Sequence, residues 1–388
     1  MVLTLGVLAG EASGDNLGAG VMRALRERLG DHDEVRFVGV GGARMREQGL
    51  HALASIDELS VNGFRDPIVR LPQLIRLLRR LIREFSAANI DGFLGVDFNV
   101  FNFLLEAALK RRGIKTAHYV SPSVYAWRSG RTRRVAKSAD LVLCLYPFEP
   151  AFYDALPVRA EFVGHPLADE IAPDAGAVAQ RDAARDSLGL DKSANTVLAV
   201  LPGSRNSEVA LMVDDFLRAA ELFAQRHAPA SVVVPCLRPA IRARVEQALE
   251  KHPNANVTLY DGDARRALIA ADIALVKSGT STLEAMLLHR PAVVSYRLGR
   301  MTYQLAKRVV RTPYVALPNI LAGRELMPEL LQDAASGPAL ADALDRELRN
   351  ALESPTYIDE FCRLHEQLRC GADAKAAAAV LRLLQQFH

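Results

Sequence analysis

The sequence contains no uninterrupted hydrophobic run of the roughly 20 residues that a membrane-spanning helix requires. Half of its 388 residues are hydrophobic and 24% are charged, which is typical of soluble globular proteins. Residues 1–9 lack the basic start of an export signal, so we interpret them as a first strand. A chain of this length is expected to form two domains, each with its own core.

Metal-binding patterns are also missing. The four cysteines (Cys144, Cys236, Cys362 and Cys370) are not spaced like metal ligands, and the nine histidines suggest no metal cluster. We therefore expect reduced thiols, no metal and no other cofactor.

Two common nucleotide-binding motifs are absent. There is no GxxxxGK motif followed by Ser or Thr, which disfavours a P-loop NTPase, and no GxGxxG motif, which disfavours nicotinamide binding. Instead, short apolar segments alternate with helical patterns, and the strands are predicted at 2–8, 35–40, 92–96, 115–120, 141–145, 196–201, 231–234, 256–259, 273–276 and 291–296. This alternation predicts an α/β protein with two Rossmann-like halves, a cleft between them, and C-terminal helices over 357–387.

Loops that follow strands are the expected ligand sites, because ligands of open α/β sheets bind beyond the carboxyl ends of the strands. The strand at 273–276 is followed by small residues and a helical pattern: Ser278, Gly279, Thr280, Ser281 and Glu284. A helix N-terminus there would bind a phosphate through unpaired N–H groups, and Glu284 is placed to accept bonds from a ribose. An ordinary capped helix is the alternative.

A second anion-binding loop is predicted at Gly203, Ser204 and Arg205, after the first strand of the second half. The planar guanidinium of Arg205 can neutralise a diphosphate with paired donors. A surface arginine in a turn is the alternative. The segment 10–15, after the first strand, is interpreted as a third loop, followed by a helix over 17–29.

Positive charge is concentrated in the segment 61–140, which has fifteen Lys and Arg against six Asp and Glu, so that the rest of the chain is net negative. Its predicted helix has an apolar face and Pro72 in its first turn; the basic face holds Arg76, Arg79, Arg80 and Arg83. A basic amphipathic helix can bind anionic lipid or nucleic acid, or expose a solvated face, and the last is the most common.

Seven motifs follow one another along nearly the whole chain. They are 9–15 (AGEASGD), 37–45 (FVGVGGARM), 119–128 (YVSPSVYAWR), 163–169 (VGHPLAD), 201–208 (LPGSRNSE), 278–284 (SGTSTLE) and 314–332 (YVALPNILAGRELMPELLQ). In this order they closely resemble the lipid-A-disaccharide synthase family of inverting GT-B glycosyltransferases.

The resemblance implies a reaction between UDP-2,3-diacylglucosamine and 2,3-diacylglucosamine 1-phosphate, which gives a β-1,6-linked tetraacyl disaccharide phosphate and UDP. It implies a Gram-negative cytoplasmic enzyme, peripheral on the inner face of the inner membrane, with a homodimeric state and no nucleic-acid partner. The expected domains are an acceptor and membrane-facing domain at 1–172, a nucleotide-sugar domain at 173–350, and C-terminal helices at 351–388 that pack back on the first domain or exchange within a dimer.

Asp97 and Glu11 are the candidate general bases, and Arg205 is expected to stabilise the departing UDP. The alternative roles are a helix cap for Asp97 and hydrogen bonding within its loop for Glu11. The family pattern IDAPDFN is VDFNVFN here at 96–102, so Val100 replaces a second aspartate.

The resemblance also implies a nucleotide or sugar contact for Asn319, with a turn-forming role as the alternative. Ser13, in the loop at 10–15, is a further candidate for nucleotide-sugar contact. Trp127 is a candidate to stack on a sugar or to anchor an acyl-facing loop, with packing as the alternative. His165 is expected to order the interdomain connection, and an acid or base role is the alternative. The segment 61–67 also departs from the family pattern and is less apolar, which predicts a smaller or displaced membrane surface.

Three other functions remain open at this stage. A sugar-nucleotide 2-epimerase would share the fold and the nucleotide loops but would not need the basic helix. A transferase with a polyprenyl-linked acceptor would share both features. A non-catalytic protein would bind UDP or lipid without turnover.

Overall fold

The structure is a computed structural model that describes residues 2–30, 34–59, 67–123, 130–191, 193–299, 302–304, 312–354 and 356–385. The chain divides into two compact units. Unit one is Met1–Asp169 with Leu368–His388, and unit two is Glu170–Gln367. No helix among the described residues is long and apolar enough to cross a membrane.

Unit one contains a sheet of seven parallel strands. These are β1 (Val2–Ala9), β2 (Glu34–Gly41), β3 (Leu50–Ser55), β4 (Gly92–Val96), β5 (Lys115–Tyr119), β6 (Leu141–Cys144) and β7 (Arg159–Phe162). Their spatial order is β3-β2-β1-β4-β5-β6-β7. The helices are α1 (Ala12–Leu29), α2 (Ala43–Glu47), α3 (Ile56–Leu59), α4 (Pro67–Ala87), α5 (Asn99–Lys110), α6 (Gly130–Ser138), α7 (Pro166–Glu170, which ends at the first residue of unit two) and a 3₁₀ helix at Pro150–Tyr153.

Unit two contains a sheet of six parallel strands. They are β8 (Thr196–Leu201), β9 (Ala230–Pro235), β10 (Val257–Tyr260), β11 (Ile273–Lys277), β12 (Ala292–Tyr296) and β13 (Glu329–Leu331), in the order β10-β9-β8-β11-β12-β13. The helices are α8 (Val178–Ser187), α9 (Asn206–Arg226), α10 (Pro239–Leu249), α11 (Ala264–Ala270), α12 (Thr280–Leu287), α13 (Leu317–Ala322), α14 (Gly337–Glu353), α15 (Tyr357–Leu368) and a 3₁₀ helix at Gln332–Ala334. The last helix, α16 (Ala372–Gln385), belongs to unit one.

The predicted α/β organisation is confirmed, and all ten predicted strands are present within one or two residues. Three strands, β3, β7 and β13, were not predicted. Each lies at the edge of its sheet, where one side has no neighbouring strand, so its sequence need not be continuously apolar. The short β7, for example, reads RAEF and is half-buried.

Two predicted boundaries in unit one were wrong. The segment 10–15 is not a free loop, because α1 begins at Ala12. The carboxylate of Asp15 accepts bonds from the N–H groups of Gly42, Arg44 and Met45 at 2.7–3.1 Å and thereby caps the short α2. The basic helix α4 begins at Pro67, so Pro72 lies in its second turn. Pro72 is exposed, and it cannot make the helical bond for which its missing N–H would be the donor.

The C-terminal region is also divided differently from the prediction. The single helical stretch expected over 357–387 is two helices, α15 and α16, separated at Gly371, whose φ is 71°. This left-handed conformation suits glycine and ends a helix. The N–H groups of Gly371 and Ala372 donate to the carboxylate of Asp169 at 2.9 and 2.6 Å, which caps α16.

A buried polar cluster fixes α5 against the sheet of unit one. His118 Nδ1 and Glu106 Oε1 are 2.6 Å apart, and neither side chain is exposed. The hydroxyl of Ser138 donates to Glu106 Oε2 at 3.0 Å. Because buried polar groups are costly unless they are paired, this cluster sets the position of α5 and of the loop that precedes it.

Glu149 is a second buried carboxyl group, only 1% exposed, in the loop after β6. Burial raises the pKa of its carboxyl from 4.5 to about 8, although the N–H groups of Tyr146 and Leu145 oppose the shift. The folded chain therefore retains a proton on Glu149 that the unfolded chain releases above about pH 4.5.

We expect the stability contribution of Glu149 to be fully present below pH 4.5 and to be lost as the pH rises towards 8. In Glu149→Gln, which cannot ionise, this loss is absent. The difference in free energy of unfolding between the wild type and the variant should therefore change by about 1 kcal/mol per pH unit in this window, in favour of the variant at higher pH. Chemical denaturation from pH 5 to 8 measures it, with the exposed Glu353→Gln as control. Parallel pH profiles for the wild type and Glu149→Gln would contradict the shift.

Candidate functional site

Unit two contains a cavity of about 520 Å³ at the carboxyl edge of its sheet. The loops after β8, β9, β10 and β11 all contribute to its wall. The predicted residues that line it are Gly203, Ser204, Arg205, Gly279, Thr280, Ser281 and Glu284, and further lining residues include Leu237, Asp263, Glu208 and Lys277. The two predicted anion-binding loops therefore lie in one cavity.

The start of α12 forms one side of this cavity. Gly279, Thr280 and Ser281 line it. The N–H group and hydroxyl of Thr282 are both bonded to the carbonyl of Gly279, at 3.1 and 2.8 Å, which fixes the first turn. The helix dipole places partial positive charge at this end of α12, and this favours an anion.

The loop after β8 forms the opposite side. Gly203 has a φ of 128°, and a Cβ atom there would lie 3.1 Å from Glu208 Oε2, so both the conformation and the space favour glycine. Arg205 precedes α9, and 74% of its side chain is exposed. It is held by one ion pair, from its Nη1 to Glu208 Oε1 at 3.3 Å.

Sequence reasoning missed Glu208 and Lys277, although both were visible as charged residues beside the predicted loops. Lys277 is the last residue of β11, and its Nζ lies 3.1 Å from Glu208 Oε1. Burial acts to raise the pKa of Glu208, but the hydrogen bond and charge of Lys277, with the charge of Arg205, outweigh it and lower the pKa. Glu208 is therefore an ionised carboxylate shared by two cations.

Glu284 reaches the cavity from α12 and has 17% of its side chain exposed. Burial raises the pKa of its carboxyl, while Arg265, whose Nε lies 3.9 Å from Glu284 Oε1, acts in the opposite direction. The position is compatible with the predicted acceptance of hydrogen bonds from a sugar.

Ser278 and Asn319 have internal roles in unit two and do not line the cavity. The Ser278 hydroxyl donates to the carbonyl of Val315 at 2.9 Å. Asn319 is fully buried. Its amide nitrogen donates to the carbonyl of Met327 and to Glu329 Oε1, both at 2.8 Å, and its amide oxygen accepts from the N–H groups of Leu326 and Met327. This arrangement favours the turn-forming alternative for Asn319.

The two candidate bases of unit one follow neighbouring strands. Glu11 follows β1 and is an exposed residue at the N-terminal boundary of α1, while Asp97 follows β4. The strands are in register, with Ala9 opposite Val96. Ser13 is exposed in the first turn of α1. Because β1 and β4 are parallel, Glu11 and Asp97 lie at the same edge of the sheet.

The backbone at this edge adopts unusual conformations. Asp97, Phe98 and Val120 have φ values of 48°, 49° and 80°, a region that non-glycine residues seldom occupy and that is especially unfavourable for a β-branched side chain. The buried amide of Asn102 donates to the carbonyl of Asp97 at 2.7 Å and holds this turn. The residue at the N-terminal boundary of α5 is Phe98 rather than Asp97. Such strain is concentrated at functional sites in proteins.

His165 lies in unit one and packs 5.7 Å from the ring of Tyr146. Burial lowers the pKa of its imidazole to about 4, so the ring is neutral at neutral pH. The ring Nδ1 of His165 accepts a hydrogen bond from the backbone N–H of Leu167 at 3.2 Å. The backbone N–H of His165 donates to the carbonyl of Leu368. His165 thus fixes the chain near α7. Trp127 lies outside the described residues.

The basic helix α4 presents two kinds of arginine. Arg76, Arg79 and Arg83 are exposed, whereas Arg80 donates to the carbonyl of Leu53 at 2.9 Å and lies 3.6 Å from carboxylate oxygens of Glu58 and Glu84. The apolar face was predicted at Leu71, Leu74, Ile75, Leu78, Ile82 and Phe85, and it is divided. Phe85 is in the core, Leu74, Leu78 and Ile82 are half-buried, and Leu71 and Ile75 are 54% and 39% exposed. Leu77 and Leu81, which were not predicted on this face, are also in the core. On the adjacent α5, Val100 and Leu104 are 73% and 55% exposed.

Among the described residues, no group of three or more His, Cys, Asp or Glu side chains is arranged to hold a metal ion.

Comparison with known proteins identifies relatives over almost the whole chain. The family model described as lipid-A-disaccharide synthetase matches residues 5–380. The lipid-A-disaccharide synthase of Sodalis glossinidius is 48% identical over 385 residues, which cover 99% of each chain. That of Salmonella typhimurium is 46% identical over 384 residues, which cover 99% of this chain and 98% of the relative.

Solved structures with the same fold include both transferases and epimerases. The MurG protein of Acinetobacter baumannii superposes with a TM-score of 0.58 at 13% identity and full coverage of both chains. A UDP-GlcNAc 2-epimerase of Neisseria meningitidis gives 0.61 at 12% identity and 99% coverage of both chains. At these identities the likeness shows only the fold, which is the GT-B fold predicted from the motifs.

Proposed function

The chain belongs to the lipid-A-disaccharide synthase family, and on this premise we propose which of its parts carry out the family's reaction. The enzyme transfers 2,3-diacylglucosamine from UDP-2,3-diacylglucosamine to the 6-hydroxyl of 2,3-diacylglucosamine 1-phosphate. The products are the β-1,6-linked tetraacyl disaccharide 1-phosphate and UDP, with inversion at the anomeric carbon.

Inversion in one displacement sets two requirements. The acceptor hydroxyl must lose its proton to a base as it attacks, and the negative charge that develops on the leaving UDP must be stabilised. No covalent intermediate with the enzyme is needed, since the hydroxyl attacks opposite the departing diphosphate.

We assign the UDP moiety to the cavity of unit two. The observation that carries this assignment is the convergence of Arg205 and the N-terminus of α12 on one cavity, because both favour a diphosphate. Glu284, on the same wall, would accept hydrogen bonds from the ribose. Residues 173–350 are accordingly proposed as the nucleotide-sugar domain.

We assign the acceptor to the region 1–172. Glu11 and Asp97 follow adjacent strands at one edge of the sheet in unit one, and the strained turn at Asp97 supports its role as the base. Ser13 is proposed to contact the substrate beside them. We further propose a homodimer, with the helices at 351–388 either packed back on the first domain of their own chain or exchanged between the two chains.

The reaction is tested by mass spectrometry of the products formed from UDP-2,3-diacylglucosamine and 2,3-diacylglucosamine 1-phosphate. A tetraacyl disaccharide phosphate is the expected product, and UDP should be released in equal amount. Conversion of UDP-GlcNAc to its 2-epimer, without disaccharide, would favour the epimerases that share this fold.

Arg205→Ala should remove most turnover, because the leaving diphosphate loses its most accessible cation. Loss of a charged group that stabilises a transition state costs about 3 kcal/mol, or on the order of a hundredfold in kcat. Initial rates with saturating substrates measure the effect, and Arg244→Ala, which removes an exposed arginine on α10, is the matched control. A folded Arg205→Ala enzyme with wild-type kcat would place Arg205 away from the diphosphate.

Asp97→Asn preserves size and most hydrogen bonding but removes the proton acceptor. If Asp97 is the base, kcat should fall by roughly 10²–10⁴ while the thermal midpoint stays close to that of the wild type. Asparagine tolerates the left-handed conformation at position 97 about as well as aspartate, so full activity would show that the Asp97 carboxylate is not the base. In that case Glu11→Gln tests the other candidate in the same assay.

We also propose that unit one binds the cytoplasmic leaflet of the inner membrane through its α4 and α5 face. The exposed apolar residues Leu71, Ile75, Val100 and Leu104 would enter the interface, while Arg76, Arg79 and Arg83 would contact anionic headgroups. Arg80 is left out because its contacts lie within the unit. Substrates with acyl chains reside in the membrane, so binding through this face would bring the enzyme to them.

The triple substitution Arg76, Arg79 and Arg83→Gln should reduce co-sedimentation with anionic vesicles, since each arginine contributes roughly 1 kcal/mol near such a surface. The reduction should be larger at low salt, where the attraction is least screened. Activity on detergent-dispersed substrate should change less than activity on vesicles. The control triple, Arg244, Arg346 and Arg349→Gln, removes the same charge from exposed positions of unit two. Equal vesicle binding by the wild type and both triple variants would exclude the α4 and α5 face as the membrane-binding surface.

A further inference from the structure

Glu208 is an acidic residue in a cavity that we assign to an anionic ligand. Its side chain is 13% exposed, and its Oε1 lies 3.1 Å from Lys277 Nζ and 3.3 Å from Arg205 Nη1. A carboxylate beside a diphosphate is repulsive, more so where the surroundings are partly buried. If Arg205 remained paired with Glu208, it would also be less available to the phosphates.

The two cations that share Glu208 differ in how firmly they are held. Lys277 is 17% exposed, and its Nζ lies 4.9 Å from the centroid of the Tyr296 ring, a cation–π contact. Arg205 is 74% exposed, and an ion pair with so exposed a partner is weak. Lys277 is therefore the fixed partner of Glu208, and Arg205 is the partner that can leave.

We propose that Lys277 is a positioning residue that holds and neutralises Glu208, so that Arg205 is free to bind the diphosphate of the donor. This inference rests on the proposed UDP site. Without Lys277, Glu208 would retain Arg205 as its cationic partner among the described residues and would repel the incoming phosphates. When Glu208 carries no charge, Lys277 should therefore no longer be needed for UDP binding.

If Lys277 acts only by neutralising Glu208, a second substitution at Glu208 should restore the UDP affinity that a substitution of Lys277 removes. Lys277→Met keeps an unbranched side chain of similar size that can still pack against Tyr296, but it removes the charge and with it the cation–π contact. It should weaken UDP binding on the order of tenfold to a hundredfold. The double variant Lys277→Met with Glu208→Gln should regain most of that affinity, and Lys277→Arg should retain it. Uridine, which lacks the phosphates, should bind the wild type and Lys277→Met equally.

Isothermal titration of the full chain with UDP and with uridine measures these affinities, and the thermal midpoint of each variant reports folding. A direct contact between Lys277 and the phosphates would overturn the inference, since the double variant would then bind UDP no better than Lys277→Met. A purely structural role would also overturn it, and uridine affinity and the thermal midpoint would fall together with UDP affinity. Wild-type UDP affinity in Lys277→Met would overturn the inference as well.

Failure of the proposed UDP site is a separate result. If the wild type itself does not bind UDP, the assignment of this cavity fails and the inference fails with it. If the wild type binds UDP and only the expected pattern among the variants is missing, the inference alone is overturned.

Discussion

Parallel strand pairing is the constraint on which both candidate sites depend. In each unit every pair of neighbouring strands is parallel, so all strands of a sheet end at the same edge. Loops that are distant in the sequence are therefore brought together. Glu208 and Lys277 are separated by 69 positions, yet they form an ion pair because β8 and β11 are adjacent. Glu11 and Asp97 are related in the same way through β1 and β4.

The fold does not distinguish the transferases from the epimerases that share it, since both superpose on this chain at similar TM-scores. What distinguishes this chain is its sequence over nearly its full length. Function in such folds depends on the side chains at the strand ends rather than on the scaffold.

Acidic residues in the family motifs divide into two groups by their surroundings. Asp15 and Glu329 accept several backbone N–H groups and hold loops in place. Glu208 and Glu284 line the cavity and face cations. The motifs thus contain both structural and ligand-facing carboxylates. Residue type, Asp or Glu, does not show which role a carboxylate has, whereas its contacts do.

The sequence by itself determined the two parallel sheets, ten of the thirteen strands, the family, and two of the four loops that form the cavity, because buried strands and helix starts have strong local patterns. It did not reveal the edge strands β3, β7 and β13, whose half-buried sequences resemble loops. Nor did it separate Asn319, which holds its own turn, from Arg205, which lines the cavity, since both stand in equally specific motifs. Only the tertiary structure decided this, and it alone paired Lys277 with Glu208, because such contacts depend on which strands are neighbours rather than on sequence spacing.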